Sequence, residues 1–262
     1  MSKLQFDYTM ELHYSQPVEQ CHYTIKCMPI EDARQHILRT QIDMTPQHSW
    51  SAGPDGFGNT KLYGSLLTPH DSFRFHISGE AEILQILYEE KENADQTPVF
   101  RHSFGMNRPG AALRQYAALL NTEQIKNPYE RAVFLMHRVH SDFAYCPGVT
   151  DVKTDAEKAW LTGKGVCQDF THIFLALCHM NDIPARYVTG MIIGEGATHA
   201  WAEILYHGRW IGMDPTNDLL VAAAHLKLSH GRDASDCLVN RGIIRGGGTQ
   251  TQIITVTVSE QP

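Results

Sequence analysis

Hydrophobic and polar residues alternate with a period of two along the first third of the chain. Such alternation is typical of β-strands that bury one face. The hydrophobic positions are Phe6, Tyr8, Met10, Leu12, Tyr23, Ile25, Cys27, Phe73, Phe75 and Ile77, together with the segment 37–44. A cluster of glycine, proline and asparagine at residues 53–59 predicts a turn between two of the strands. We therefore expect residues 1–95 to form a small antiparallel β-sandwich.

A polar segment separates this pattern from the rest of the chain. Residues 89–98 are rich in charged and amide side chains and end in Pro98, which favours an exposed linker. We therefore predict a domain boundary there, with the β-sandwich domain at residues 1–95 and a second domain at residues 99–262.

Helical spacing replaces the period of two in the second domain. One helix is predicted after Pro109, and another after Asn127, whose side chain can cap the first turn. The inward-facing positions of this second helix are Ala132, Leu135, Met136 and Val139. Residues 154–157 have the spacing of a capping box, which predicts a short helix at residues 156–161 that stops at Gly163.

The next predicted helix begins with a cysteine. Its inward-facing positions are Phe170, Ile173, Phe174 and Leu177, so Cys167 would lie in the first turn. Unpaired backbone N–H groups and the positive end of the helix dipole stabilise a thiolate at such a place, and the same groups could bind an oxyanion. The alternative is that Cys167 is a small packing residue, as free cysteines commonly are.

A histidine and an aspartate lie on two strands predicted further along. Residues 196–205 alternate like a strand that begins near His199, and residues 208–217 form a second strand that closes in a turn after Asp214. A hairpin between these strands would bring Asp214 beside His199. Cys167, His199 and Asp214 would then supply a thiol nucleophile, its base and the group that orients the base.

The remaining strands complete the predicted architecture. Residues 186–193 are β-rich after Pro184, and residues 252–258 read as a final strand. We expect both to join the His199 and Asp214 strands in one antiparallel sheet, with the Cys167 helix packed on it. The fold class is therefore α+β.

Composition excludes several functional classes. The 262-residue chain has a formal net charge of −7 without a Lys/Arg cluster, so we expect no nucleic-acid partner. The six cysteines form no C-x-x-C pair and no cluster at zinc-ligand spacing, so we expect free thiols and no metal or cofactor. No secretory segment and no apolar run of membrane-spanning length are present, which favours a cytoplasmic protein without a membrane partner.

Four sequence segments in order resemble the transglutaminase-like superfamily, and more narrowly its bacterial members with an N-terminal β domain. The segments are Gly165–Phe170, Ile183–Gly190, Thr198–Glu203 and Trp210–Asn217. The resemblance implies a papain-like core in which Cys167 is the nucleophile, His199 the base and Asp214 the orienting acid. It also implies acyl transfer on a peptide or protein amide substrate, with hydrolysis through a thioester favoured over cross-linking and without calcium. The oligomeric state is left open.

A catalytically silent binding or scaffold module is the alternative, although none of the three residues is substituted. Among the nearby aromatic residues, Tyr145 and Trp160 are candidate oxyanion donors, but we favour core positions for both. We expect Arg232 and Asp233 to form a structural ion pair. Two further tryptophans are expected to pack between strands, namely Trp201 and Trp210.

Overall fold

The computed structural model describes residues 2–84 and 97–261. The helices are α1 (Ala111–Leu119), α2 (Pro128–Asp142), α3 (Ala156–Thr162) and α4 (Cys167–Met180). The strands are β1 (Ser2–Ile25), β2 (Gln35–Thr45), β3 (Trp50–Pro54), β4 (Thr60–Leu66), β5 (His70–Ile83), β6 (Ala144–Tyr145), β7 (Lys164–Gly165), β8 (Ala185–Ile192), β9 (Gly194–Gly196), β10 (His199–Tyr206), β11 (Arg209–Asp214), β12 (Leu219–Leu220), β13 (His225–Gly231), β14 (Asn240–Gly246) and β15 (Gln250–Gln261). Within the described residues, no helix has the length and apolar character needed to cross a bilayer.

The long strand β1 is the centre of a curled antiparallel sheet. Its first half pairs with β5 on one side and β15 on the other, and its second half pairs with β4 and β14. Alternate side chains of β1 enter a single hydrophobic cluster with side chains from β2, β4, β5 and β15. The period of two seen in the sequence therefore corresponds to the inner face of this sheet.

The five-stranded second sheet holds the strands of His199 and Asp214, in the order β12-β11-β10-β8-β13. Helix α4 packs against it through alternate residues of β10, namely Ala200, Ala202 and Ile204. Phe170, Ile173, Phe174 and Leu177 of α4 are buried in the same cluster, as the helical spacing predicted. The α+β class, with an antiparallel β region followed by a cysteine helix packed on an antiparallel sheet, is confirmed.

The final strand was assigned to the wrong sheet. Residues 252–258 lie in β15, which pairs with β1 and β9 in the curled sheet and not with the strands of His199 and Asp214. The place beside β8 is taken by β13 instead. Strand propensity identified the segment as β, but it carries no information about which open edge the strand joins.

Helix caps follow the sequence at one site and differ at another. The Asn127 side chain accepts hydrogen bonds from the Tyr129 and Glu130 backbone N–H groups, as predicted. Helix α3 is capped by Asp155, one residue after Thr154, which the predicted capping box requires as the cap. The Glu157 carboxylate instead accepts hydrogen bonds from three backbone N–H groups at the start of α1, those of residues 110, 112 and 113. A tertiary contact has therefore displaced the local cap.

The predicted linker lies largely outside the described residues, because residues 85–96 are not part of the described structure. The boundary between residues 95 and 99 therefore stays a prediction. The strands β14 and β15 nevertheless pair with β1, so the last part of the chain contributes to the sheet formed by the first part.

Candidate active site

Cys167 is the first residue of α4 and is half-buried. The preceding turn depends on Gly163, which ends α3 in the left-handed conformation with φ of 72°. Asp169 fixes the start of α4, because its Oδ2 accepts hydrogen bonds from the Val166 N–H at 2.8 Å and the Thr150 hydroxyl at 2.7 Å. These contacts hold the thiol at the helix N-terminus, where the backbone N–H groups point outward.

His199 and Asp214 meet at one end of the β10–β11 hairpin. The strands are antiparallel, so the first residue of β10 lies near the last residue of β11. The His199 Nε2 donates a hydrogen bond to the Asp214 Oδ2 over 2.7 Å. This leaves the other ring nitrogen, Nδ1, as the atom of His199 that can exchange a proton with a thiol.

The environment of His199 favours the imidazolium. Burial lowers the pKa of His199, but hydrogen bonds with Asp214 and Cys167 and their charges outweigh burial and raise the pKa to about 10. Burial acts to raise the pKa of Asp214, and hydrogen bonds from His199 and His225 more than offset this, so the net pKa is lowered. These shifts favour an ionised carboxylate beside a protonated imidazole, in the cleft that Cys167 also lines.

A second histidine contacts Asp214, and the sequence analysis did not identify it. His225 begins β13, and its Nε2 lies 3.3 Å from the same Asp214 Oδ2. Asn217 donates a third hydrogen bond to this oxygen over 2.8 Å, and the Thr216 and Asn217 backbone N–H groups donate to Oδ1. Since His225 lies outside the four segments and its pairing with β8 was not predicted, no local signal pointed to it.

The two histidines and Asp214 also form a group that could hold a metal ion, with ligand atoms within 4.8 Å of one another. Ligand atoms about 2.0–2.1 Å from a tetrahedral zinc ion lie about 3.3 Å apart. The 2.7 Å separation of His199 Nε2 and Asp214 Oδ2 is shorter and matches a charge-assisted hydrogen bond. The distance between His199 and Asp214 therefore fits a hydrogen bond better than two ligands of one zinc ion.

A cleft of about 320 Å³ opens beside Cys167 and His199. Tyr8 and Ile254 line it from the curled sheet, and Val166, Val239 and other side chains line it from the second half of the chain. Both sheets thus contribute to the walls, which are largely apolar around the thiol and the imidazole. Such a cleft can bury the segment of a substrate that flanks a reacting carbonyl.

The nearby aromatic residues divide between the site and the core. Trp160 packs against the core and lies 4.1 Å from the Tyr116 ring, as expected. Tyr145 was wrongly expected in the core, because 59% of it is exposed. Burial and the neighbouring Cys167 charge both raise the pKa of Tyr145, which places it within electrostatic reach of the thiol.

The ion pair expected between Arg232 and Asp233 is also wrong. Arg232 binds Asp236 in a bidentate manner, with nitrogen to oxygen distances of 2.8 and 3.0 Å. Asp233 instead accepts hydrogen bonds from the backbone N–H groups of Met106 and Ser235. The short 3₁₀ helix Ala234–Cys237 after Asp233 brings Asp236 to the guanidinium, which the sequence separation alone did not reveal.

Behind the site, the face of the second sheet opposite α4 is buried as well. Trp201 and Trp210 pack there, as expected for strand residues. Glu203 lies between Arg186 and Lys227 in a buried ion cluster, with Arg186 Nε at 2.7 Å and Lys227 Nζ at 2.7 Å from Glu203 Oε2. The strands that carry His199 and Asp214 are therefore held by packing on both faces.

Comparisons with known proteins agree with this architecture. Residues 115–215 match the family model of the transglutaminase-like superfamily, and residues 4–82 match that of the bacterial transglutaminase-like N-terminal region. An uncharacterized protein of Mycobacterium leprae is 32% identical, with 94% of each chain covered. One from Mycobacterium tuberculosis is 27% identical over 96% of this chain and 90% of its own.

A solved structure has the same fold over the whole chain. It is described as a "Putative Cysteine Protease" from Cytophaga hutchinsonii, with a TM-score of 0.80 and 21% sequence identity. The alignment covers 100% of this chain and 92% of that one. At this level of identity the likeness concerns the fold.

Proposed function

Since the chain belongs to the transglutaminase-like superfamily, we propose that it is a cysteine-dependent enzyme that cleaves amide bonds through a thioester. In this proposal Cys167 is the nucleophile, His199 the general base and acid, and Asp214 the group that orients His199. The observation that carries the proposal is the position of His199. Its Nε2 is bound to Asp214 at 2.7 Å, and His199 lines the same cleft as Cys167.

The chemistry follows from these three side chains. The Cys167 thiol gives its proton to His199, the sulfur attacks the amide carbonyl carbon to form a C–S bond, and the carbonyl π electrons move to the oxygen. The backbone N–H of Cys167 at the start of α4 is the donor that we assign to the resulting oxyanion. His199 then donates its proton to the leaving amine as the C–N bond breaks, which leaves a thioester on Cys167.

The second half-reaction restores the free enzyme. A water molecule loses a proton to His199 and attacks the thioester, releasing a carboxylic acid and the Cys167 thiol. An amine in place of water would give a new amide. The Asp214 carboxylate stabilises the imidazolium in both steps and keeps Nδ1 directed at the sulfur.

The labelling rate of Cys167 tests the pairing with His199. Cys146 is the matched control, since both thiols are partly exposed while the other four are buried. Labelling of an ordinary thiol by iodoacetamide slows about tenfold per pH unit below a pKa of about 8.5. We expect Cys167 to be labelled at similar rates at pH 8 and pH 6, whereas the labelling of Cys146 should slow over this range. In His199→Ala, the labelling of Cys167 should slow in the same way as that of Cys146. Parallel rates for the two thiols in the unmodified protein would contradict the proposal.

A product analysis distinguishes hydrolysis from transfer. The enzyme is incubated with a panel of peptide amides and glutamine-containing peptides, with and without a primary amine, and products are identified by mass spectrometry. We expect free acids as the main products and no product with Cys167→Ala. Reactive labelling of Cys167 without any product from the panel would favour a silent binding module.

A further inference from the structure

The outer edge of β14 and β15 is an exposed strand edge beside the candidate active site. The two strands run consecutively antiparallel to β1, joined through a glycine segment at residues 246–248. Residues 241–246 and 248–255 are exposed, and the large hydrophobic side chains among them are Ile243, Ile244, Ile253 and Ile254. An exposed apolar strand edge of this kind favours pairing with another extended chain.

Part of this edge is already occupied. Strand β9 pairs antiparallel with β15 at Val256–Val258. After Gly196 the chain leaves this edge and enters β10 at His199. Among the described residues, no strand continues β9 along Gln250–Thr255, and we name this segment the cleft edge.

The cleft edge borders the cleft of the candidate active site. The side chains of Gln252 and Ile254 line that cleft together with Cys167 and His199. A chain that extended the line of β9 along this edge would therefore pass the thiol at the point where β10 turns away. This juxtaposition links an open hydrogen-bonding edge to the proposed nucleophile.

We propose that the substrate is an extended polypeptide that binds as an added strand on the cleft edge. The inference rests on the proposed function, since it assigns the substrate class of the same site. Main-chain hydrogen bonds to the cleft edge would supply affinity, and side-chain pockets in the cleft would supply specificity. Recognition of this kind selects unfolded or extended polypeptide segments over small isolated amides and over folded proteins.

A second copy of the chain is the competing occupant of such an edge. Pairing between copies needs only the edge, whereas a substrate needs the edge and the nucleophile together. The opening of the cleft edge onto Cys167 therefore favours a substrate. Binding of a second copy to the cleft edge would overturn the inference.

The binding test uses an inactive variant and an unfolded polypeptide. Fluorescein-labelled casein is titrated with Cys167→Ala, and anisotropy gives the dissociation constant without any turnover. We expect saturable binding that Ile254→Lys weakens about tenfold, because a charge enters the apolar wall of the cleft. Ile243→Lys is the matched control, because it makes the same change on the preceding strand β14, at a residue that does not line the cleft. Equal effects of both variants, or no binding, would overturn the inference.

Hydrogen exchange tests the main-chain pairing directly. Bound casein is expected to slow exchange of amides within Gln250–Thr255 about tenfold and to leave Arg241–Gly246 unchanged. Protection of Gln250–Thr255 without casein that disappears on dilution would assign the edge to a second copy. Unchanged exchange in the presence of bound casein would show that casein binds elsewhere, which also overturns the inference.

The outcomes separate this inference from the proposed function. Fast labelling of Cys167 and turnover of small amides without casein binding would refute the added strand and leave the enzyme proposal intact. Casein binding at the cleft edge without reactive labelling of Cys167 would refute the enzyme proposal and leave a polypeptide-binding edge.

Discussion

Glu203 lies at the centre of the buried ion cluster behind the candidate active site, and Glu203→Gln removes its negative charge while keeping the side-chain size. The carboxylate accepts hydrogen bonds from Arg186 Nε at 2.7 Å and from Lys227 Nζ at 2.7 and 2.9 Å. All three side chains are at most 5% exposed. In the variant, two buried cations would face a neutral amide, so we expect a large loss of stability.

Two arguments give a similar magnitude for this loss. Burial acts to raise the pKa of Glu203, but the charges and hydrogen bonds of Lys227 and Arg186 lower it from 4.5 to about 2. A shift of this size corresponds to roughly 3 kcal/mol of folding free energy. Breaking a buried ion pair by removing one partner costs about 3–5 kcal/mol in other proteins. For a chain of this length we therefore expect Tm to fall by about 6–20 °C.

The pH dependence identifies the charge as the cause. Because the pKa of Glu203 is lower in the folded state than in the unfolded state, its contribution is complete above about pH 4.5 and is lost as the pH falls towards 2. Urea unfolding followed by circular dichroism should give the full difference between Glu203→Gln and the unmodified protein at pH 7 and a smaller one at pH 3. The control is Glu195→Gln on the exposed strand β9, which should change the unfolding free energy by less than about 0.5 kcal/mol. A loss below about 1 kcal/mol at pH 7, or one that is independent of pH, would refute this reasoning.

Four further predictions concern the site and the fold. Asp214→Asn should lower amide turnover by roughly 10⁴ through the wrong imidazole tautomer, and a near-normal rate in a kinetic assay would exclude its orienting role. His225→Ala should lower turnover about tenfold to a hundredfold by removing one hydrogen bond to Asp214. A changed pH–rate profile would show that His225 positions Asp214, whereas an unchanged profile would assign it a purely structural role. Glu157→Ala should cost about 1–2 kcal/mol in urea unfolding, since three N–H groups of α1 lose their acceptor, and an unchanged midpoint would show that water replaces it. Limited proteolysis followed by mass spectrometry should find the first cut within residues 89–98, and resistance of that segment to several proteases would contradict the linker assignment.

The sequence by itself determined the features that depend on neighbouring residues. Cys167 begins α4 because a left-handed glycine ends α3 and helical hydrophobic spacing follows. The hairpin of β10 and β11 turns at His207 and Gly208, both with positive φ, as two alternating segments around a short polar link predict. These outcomes rest on caps, turns and periodicity, which act over a few residues and can be read directly from the chain.

Only the tertiary structure decided which distant groups meet. Strand β15 pairs with β1 although more than 230 residues separate Tyr14 from Gln250, and His225 reaches Asp214 from a strand on the far side of β8. Glu157 caps α1 and not its own helix. Every strand edge offers the same backbone donors and acceptors, and a carboxylate can accept from any N–H group within reach. The partner is therefore selected by the packing of the whole chain, and no local pattern encodes it.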